Sequence, residues 1–247
     1  MTLIQTVIIA IVEGLTEFLP VSSTGHMLIA ENLLGVQNSA FVRAFTVIIQ
    51  FGAILSVVVL YWKRFFRLDN TPAPAGSSKW QKIKHRWYFY WLLIVAFIPT
   101  GVVGLIVKKS GMIDFMLTPE NAIWIVPIML VIGGIFMLFC DRIFNKGKEE
   151  NKVTEKRAFW IGLIQCISMI PGTSRSMMTI VGGMCQKLTR RRAAEFSFFL
   201  AVPTMAAATG MDLLELFIGD EAVGTAWATS ENITMLLIGS VVAFIVA

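Results

Sequence analysis

Two carboxylates, a run of hydroxyls ending in an imidazole, and one arginine beside a glycine carry the chemistry that this sequence can do. Glu13 and Glu17 are four residues apart, so on a helix both carboxylates lie on one face, about one turn apart. Like charges at that spacing repel unless they share a proton, a cation or a basic partner. The pair reads as a divalent-cation clamp or a general acid/base pair. The structural alternative is a protonated pair, or one bonded to backbone freed by a nearby helix break.

Pro20-Val21-Ser22-Ser23-Thr24-Gly25-His26 follows at once. Three hydroxyls before a small residue and a histidine suit the start of a second half-helix, where a hydroxyl caps free N–H groups and the helix terminus attracts anions. His26 could serve as nucleophile, base or acid at neutral pH; the plainer alternative makes Ser22 or Ser23 an N-cap and His26 a packing residue. Far along the chain lies Pro171-Gly172-Thr173-Ser174-Arg175-Ser176-Met177-Met178-Thr179. Gly172 lets backbone approach a ligand, Thr173, Ser174 and Ser176 supply donors, and Arg175 offers a planar fork for bidentate phosphate binding. At a helix N-terminus such a segment is an anion cradle. It lacks the GxxxxGK[ST] spacing of a Walker A loop. Arg175 could also form a buried salt bridge with Glu13 or Glu17.

These residues sit in a chain built for lipid. Of 247 residues 56% are hydrophobic and only 15% charged, against about 25% charged in soluble domains. That composition excludes a soluble enzyme, a disordered tail and a secreted disulfide scaffold. Spans are expected at Phe41–Trp62, Trp87–Val107, Ala122–Cys140, Ala194–Gly210 and from near Ile233. The net charge of +5 does not point to nucleic acid, because 17 of the 21 cations fall in 63–86, 142–157 and 187–192, beside apolar spans. Such clusters mark cytoplasmic loops. Segment 211–232 holds Asp212, Glu215, Asp220, Glu221 and Glu231 without a cation and is expected outside. Cys140, Cys166 and Cys185 have no metal-ligand spacing and read as small buried hydrophobes. The N-terminal stretch has no basic region and carries Glu13 and Glu17, so it does not read as a cleaved signal peptide.

The charge pattern then forces two hairpins. Residues 158–186 are apolar but flanked on both sides by basic segments, so they must enter and leave by one face, breaking at Pro171-Gly172. Residues 1–35 form a matching hairpin from the other face, breaking at Pro20, or else span twice. Gly14-Leu15-Thr16-Glu17 resembles Gly162-Leu163-Ile164-Gln165, and Pro20-Val21-Ser22-Ser23 resembles Pro171-Gly172-Thr173-Ser174, offsets of 148 and 151. The expected fold is all-α: one integral membrane domain, 1–247, of two inverted-topology repeats, each a re-entrant broken-helix hairpin plus transmembrane helices. Repeat one covers about 1–140 and repeat two about 158–247, joined by a cytoplasmic loop 141–157. Matching the repeats predicts about one further helix of ~20 residues after Ala247.

At both motif segments the sequence resembles the undecaprenyl-diphosphate phosphatase (bacitracin-resistance) family of bacterial membranes. The first motif region runs from Glu13 to His26, and the second is Pro171 to Ser176 with Thr179. Glu195-Phe196-Ser197-Phe198 and Ala201-Val202-Pro203 also look like the family. The resemblance implies hydrolysis of undecaprenyl pyrophosphate to the lipid phosphate carrier of wall-polymer synthesis. The implied site is in the plasma membrane and opens outward. It implies catalytic roles for Glu17, Ser23, His26 and Arg175; the residues themselves leave the nucleophile open between Ser23, His26 and a water activated by Glu17. Glu13, Ser22, Thr24, Gly172, Thr173, Ser174, Ser176 and Thr179 would bind substrate. A divalent cation (Mg or Ca) would sit at Glu13 and Glu17, on the substrate phosphates, or both. The resemblance leaves a homodimer open. The rival reading is a lipid-phosphate flippase or anion carrier using the same broken helices.

Overall fold

A computed structural model of the chain describes residues 1–37, 39–66, 76, 78–144, 146–218 and 229–247. Asp220 and Glu221, expected in an outer acidic segment, lie outside them.

Hydroxyl caps start most of the helices. Thr2 and Gln5 form a capping box for α1 (Leu3–Thr16), and α2 (Ser23–Leu33) completes the first hairpin. Ser39 caps α3 (Ala40–Leu60) through the Val42 N–H, and the one-turn α4 (Trp62–Phe65) follows. A second capping box, Ser78 with Gln81, starts α5 (Lys79–Arg86), which leads into α6 (Tyr88–Lys109). Then come α7 (Met112–Leu117) and α8 (Pro119–Phe144). The second hairpin is α9 (Glu155–Gln165), capped by Thr154, a 3₁₀ turn over Cys166–Met169, and α10 (Arg175–Cys185), capped by Ser174. Finally α11 (Arg190–Ile218) and α12 (Ser230–Val246) run on. Side-chain oxygens on exposed N–H groups matter most where no water is present to replace them.

Among the described residues four helices, Ala40–Leu60, Tyr88–Lys109, Glu120–Phe144 and Arg190–Leu214, are long and apolar enough to cross a membrane, and α1 and α12 are shorter apolar helices. They match the expected spans within a few residues. The chain is an all-helical, multi-pass membrane protein.

Lipid tails are as apolar as leucine, so helices here associate through close packing of small residues. A Cβ on Gly52 would stand 2.8 Å from the Ser240 carbonyl oxygen, and one on Gly239 2.4 Å from the Phe45 ring. These glycines let α12 seat against α3 and, beside it, α1. On the other side α6 meets α9 where a Cβ on Gly162 would lie 1.9 Å from the Ala96 carbonyl oxygen. Two apolar cores result. One, around Phe45, Ile49 and Ala243, supports the first hairpin; the other, around Ile161, Phe196, Phe199 and Leu200, supports the second. Cys140 fits the expected buried role, whereas Cys185, at the end of α10, is exposed.

Candidate functional site

Both hairpins break where their prolines and small residues lie. The first break leaves α1 at Glu17, whose N–H bonds the Glu13 carbonyl at 2.9 Å, and re-enters helix at Ser23. Between them Ser22 holds φ 65°, a conformation uncommon for a residue with a Cβ. Its hydroxyl does not cap α2, contrary to one reading of the sequence. The Ser22 carbonyl instead accepts from the His26 N–H at 3.2 Å and from the His26 ring Nδ1–H at 2.9 Å. His26 thus braces the strained turn that presents Ser23.

The second break turns on Gly172, at φ 87°. A Cβ there would come within 2.6 Å of the Val126 carbonyl oxygen on α8, so both conformation and space demand glycine. Ser174 then caps α10, its hydroxyl accepting from the Met177 N–H at 3.2 Å. This aims the first turn of α10 at the first hairpin. Ser176 Oγ donates to the Leu19 carbonyl at 2.7 Å and lies 2.9 Å from Ser174 Oγ.

The two motifs, 158 residues apart in sequence, meet at Glu17. Arg175 Nη2 donates to Glu17 Oε1 at 2.7 Å, and Ser23 Oγ donates to Glu17 Oε2 at 2.5 Å. The side chains of Arg175 and Glu17 are only 12% and 5% exposed, so the pair is largely withdrawn from solvent. Arg175 Nε and Nη1 are buried without partners among the described residues, and so is Thr173 Oγ1. Three donors or acceptors are thereby left for a ligand, since buried polar groups are otherwise paired. Glu13 lies one turn deeper, fully buried, with Glu17, Ser23 and Arg175 as its electrostatic neighbours.

A cavity of about 330 Å³ opens from this cluster. Its polar end is formed by Glu17, Ser22, Ser23, Thr24, Thr173, Ser174, Arg175 and Ser176. Most of its remainder is apolar, built by Phe97, Gly101, Gly104 and Leu105 of α6, by Met169, and by Met205, Ala207, Ala208 and Met211 of α11. Such a shape suits an anionic head joined to a hydrocarbon chain.

Not every residue singled out from the sequence reaches this cavity. His26 and Gly172 line a separate cavity of about 450 Å³ against Met129, Leu130, Gly133, Gly134 and Met137 of α8, and Ser174 borders both. Thr179 is buried between helices. Its hydroxyl lies 2.5 Å from Ser197 Oγ and bonds the Arg175 and Ser176 carbonyls, fastening α10 to α11. Conversely, Thr100, Ser168, Lys108, Thr204 and Asp212 line the cavity without having been singled out as site residues. Thr100 is joined to the buried Gln165, whose Nε2 donates to its hydroxyl at 2.8 Å. Lys108 carried a signal in the sequence: with Lys109 it is one of the few cations outside the three basic clusters. Replacing Lys108 with glutamine is expected to raise KM for a phosphorylated lipid about tenfold with kcat nearly unchanged, the pattern of lost uniform binding. Steady-state kinetics in detergent would check this.

Residues 6–247 match the family model described as "Bacitracin resistance protein BacA". An undecaprenyl-diphosphatase of Porphyromonas gingivalis (strain ATCC BAA-308 / W83) is 50% identical across 100% of this chain and 85% of its own length. The corresponding enzyme of Flavobacterium psychrophilum is 48% identical across 100% of this chain and 84% of its own. That of Aquifex aeolicus is 41% identical across 100% and 86%. The match over residues 6–247, with relatives 41–50% identical across the whole chain, makes this protein a member of the BacA bacitracin-resistance family.

Proposed function

We propose that the chain hydrolyses undecaprenyl pyrophosphate to undecaprenyl phosphate and inorganic phosphate, recycling the lipid carrier of cell-wall polymer synthesis and conferring bacitracin resistance. The observation that carries this is the bridge at Glu17, where one carboxylate holds both the Ser23 hydroxyl and the Arg175 guanidinium at the polar end of an apolar cavity. The name shared by the relatives, undecaprenyl-diphosphatase, supports the same substrate.

Phosphoryl transfer asks mainly for positioning and for neutralising charge on the transferring group. Arg175 supplies the fork. Its unpartnered Nε and Nη1 would take equatorial phosphate oxygens, aided by Thr173 and the N-terminal N–H groups of α10. Ser23 Oγ attacks the terminal phosphorus, its proton passes to Glu17, and the anhydride P–O bond breaks with its electron pair leaving on the lipid phosphate. Glu17 hands that proton to the departing lipid phosphate; water then attacks the phosphoseryl phosphorus with Glu17 as base, and the proton it gains passes to Ser23 Oγ as inorganic phosphate leaves. His26 acts in this scheme through the Ser22 turn.

The acidic pair fits a divalent cation. Both Glu13 carboxylate oxygens are buried without a hydrogen-bond partner among the described residues, and a carboxylate–hydroxyl set offers the hard oxygens that Mg or Ca prefer. Glu13 and Glu17 would hold it, the substrate phosphates completing the shell. When bound, the ion would neutralise pyrophosphate charge.

The protein is read as lying in the bacterial plasma membrane with its basic segments cytoplasmic and the site open to the outer side. The two hairpins would then be inverted-topology counterparts.

Phosphate release from undecaprenyl pyrophosphate by the purified protein in detergent tests the reading. Turnover that a chelator abolishes is expected; lipid binding without phosphate release would overturn it in favour of a carrier. Ser23→Ala is expected to cut turnover by about 10³ or more, as loss of a nucleophile does. His26→Ala should cost at least tenfold less, and a phosphoenzyme trapped in acid should vanish only in Ser23→Ala.

A further inference from the structure

At the basic end of the bundle, remote in the chain from both hairpin breaks, lies a second polar cavity of about 490 Å³. Four separate stretches of sequence build it: Arg64 of α4, Phe89 and Leu92 of α6, the 149–153 segment before α9, and the first turns of α11. The walls are held in place. Arg64 forms an ion pair with Glu195 and lies 5.5 Å over the Phe199 ring, and Arg192 donates to the Asn151 carbonyl at 2.7 Å. The floor is apolar, with Phe196 and Phe199 buried.

Two cations on this cavity have no such duty. Arg191 and Lys152 line it, both are exposed, and neither side chain has an ion-pair or hydrogen-bond partner among the described residues. With Arg64 and Arg192 the lining carries four cations against two carboxylates, Glu149 and Glu195. One carboxylate is already engaged by Arg64, and Glu149 stands at 3.7 Å from Arg192. Basic residues that merely set topology point outward into solvent or the headgroup layer. Here they line a concavity with aromatic residues at its base.

We propose that this cavity is a binding site for a phosphate-bearing anion, and specifically for the phosphodiester headgroup of an anionic lipid whose first acyl carbons rest on the Phe196–Phe199 floor. Arg191 and Lys152 contact the phosphate; Arg64 and Arg192 shape the walls. The same phosphate chemistry could come from lipid or from free inorganic phosphate, and the experiment separates them.

Native mass spectrometry of the full chain released from detergent micelles reads the site directly, with dioctanoyl phosphatidylglycerol as probe and dioctanoyl phosphatidylcholine as the zwitterionic comparison. The wild type is expected to retain one phosphatidylglycerol per chain with at least tenfold preference over phosphatidylcholine. Lys152→Gln with Arg191→Gln should lose that adduct about tenfold or more, each cation near an anionic lipid being worth roughly fivefold. Lys79→Gln with Lys82→Gln, two exposed cations of α5 at the same end, should leave it unchanged. Displacement of the lipid by millimolar inorganic phosphate would assign the site to the free anion; persistence assigns it to lipid. Equal loss in both double variants, or no preference over phosphatidylcholine, overturns the proposal. Phosphate release should survive in both double variants, so this result is independent of the proposed hydrolase activity.

Discussion

Arg175→Ala is expected to reduce phosphate release by about 10³ to 10⁵, the range in which an arginine stabilises a phosphoryl-transfer transition state. The geometry makes the loss double. The guanidinium holds Glu17 Oε1 at 2.7 Å in the resting site and has two further buried nitrogens without partners among the described residues. Its removal takes away the phosphate fork and leaves the Glu17 carboxylate with Ser23 as its one hydrogen-bond partner among the described residues. Breaking a buried pair by deleting one partner costs about 3–5 kcal/mol, so the alanine variant should also melt earlier in detergent. Arg175→Lys separates the two effects. A lysine restores the positive charge beside Glu17 and most of the thermal stability, but it cannot bond two phosphate oxygens in one plane. Turnover should therefore stay at least 100-fold down while the melting temperature returns. Recovery of turnover with the lysine would refute the bidentate role.

The second large effect belongs to a residue with no side chain. Gly172→Ala is expected to destabilise the protein by about 2–5 kcal/mol, combining ~1–2 kcal/mol for a Cβ in the left-handed region with ~1–3 kcal/mol for overpacking. The conformation is φ 87°, and the new Cβ would lie 2.6 Å from a backbone oxygen of α8 that has little freedom to move. Thr173, Ser174 and Arg175 follow directly, so any relief of the clash shifts the anion cradle. A displacement of about 1 Å can cost 100-fold in rate. Gly35→Ala provides the comparison, because Gly35 also has positive φ, 64°, but nothing among the described residues within 4 Å of its would-be Cβ. It should show only the conformational cost and keep full turnover. Thermal melting and phosphate release measured on the two variants together would check this. Equal destabilisation would mean that the contact with α8 contributes nothing.

Much of this protein is written locally in its sequence. In a bilayer a charged group is costly wherever it stands, so Glu13, Glu17, His26 and Arg175 are conspicuous without any knowledge of their neighbours. Apolar length fixes spans in the same way, and α3, α6, α8 and α11 fall within a few residues of where apolar runs place them. Pro20 and Pro171-Gly172 mark the breaks because proline cannot continue a helix hydrogen-bond ladder and glycine can turn sharply. Ser174 as the cap of α10 is likewise a property of one short segment.

What the tertiary structure alone decides is which of these groups meet. Glu13 and Glu17 are equivalent on a helical wheel, and the sequence offers both to Arg175. The crossing of the hairpins gives the guanidinium to Glu17 and leaves Glu13 one turn beneath, fully buried. Position in the chain suggests that His26 stands beside Ser23 in the site. The bond from its ring to the Ser22 carbonyl turns it instead toward the cavity against α8. Thr179 carries a phosphate-binding hydroxyl in sequence, but helix rotation spends that hydroxyl on Ser197. Lys108 and Asp212 reach the cavity only because α6 and α11 pack beside both hairpins. Local composition sets the cost of burying each group and so reveals that it has a task. Partner choice across 158 residues depends on helix crossing and rotation, and those are set by where small residues such as Gly162 let the backbones touch.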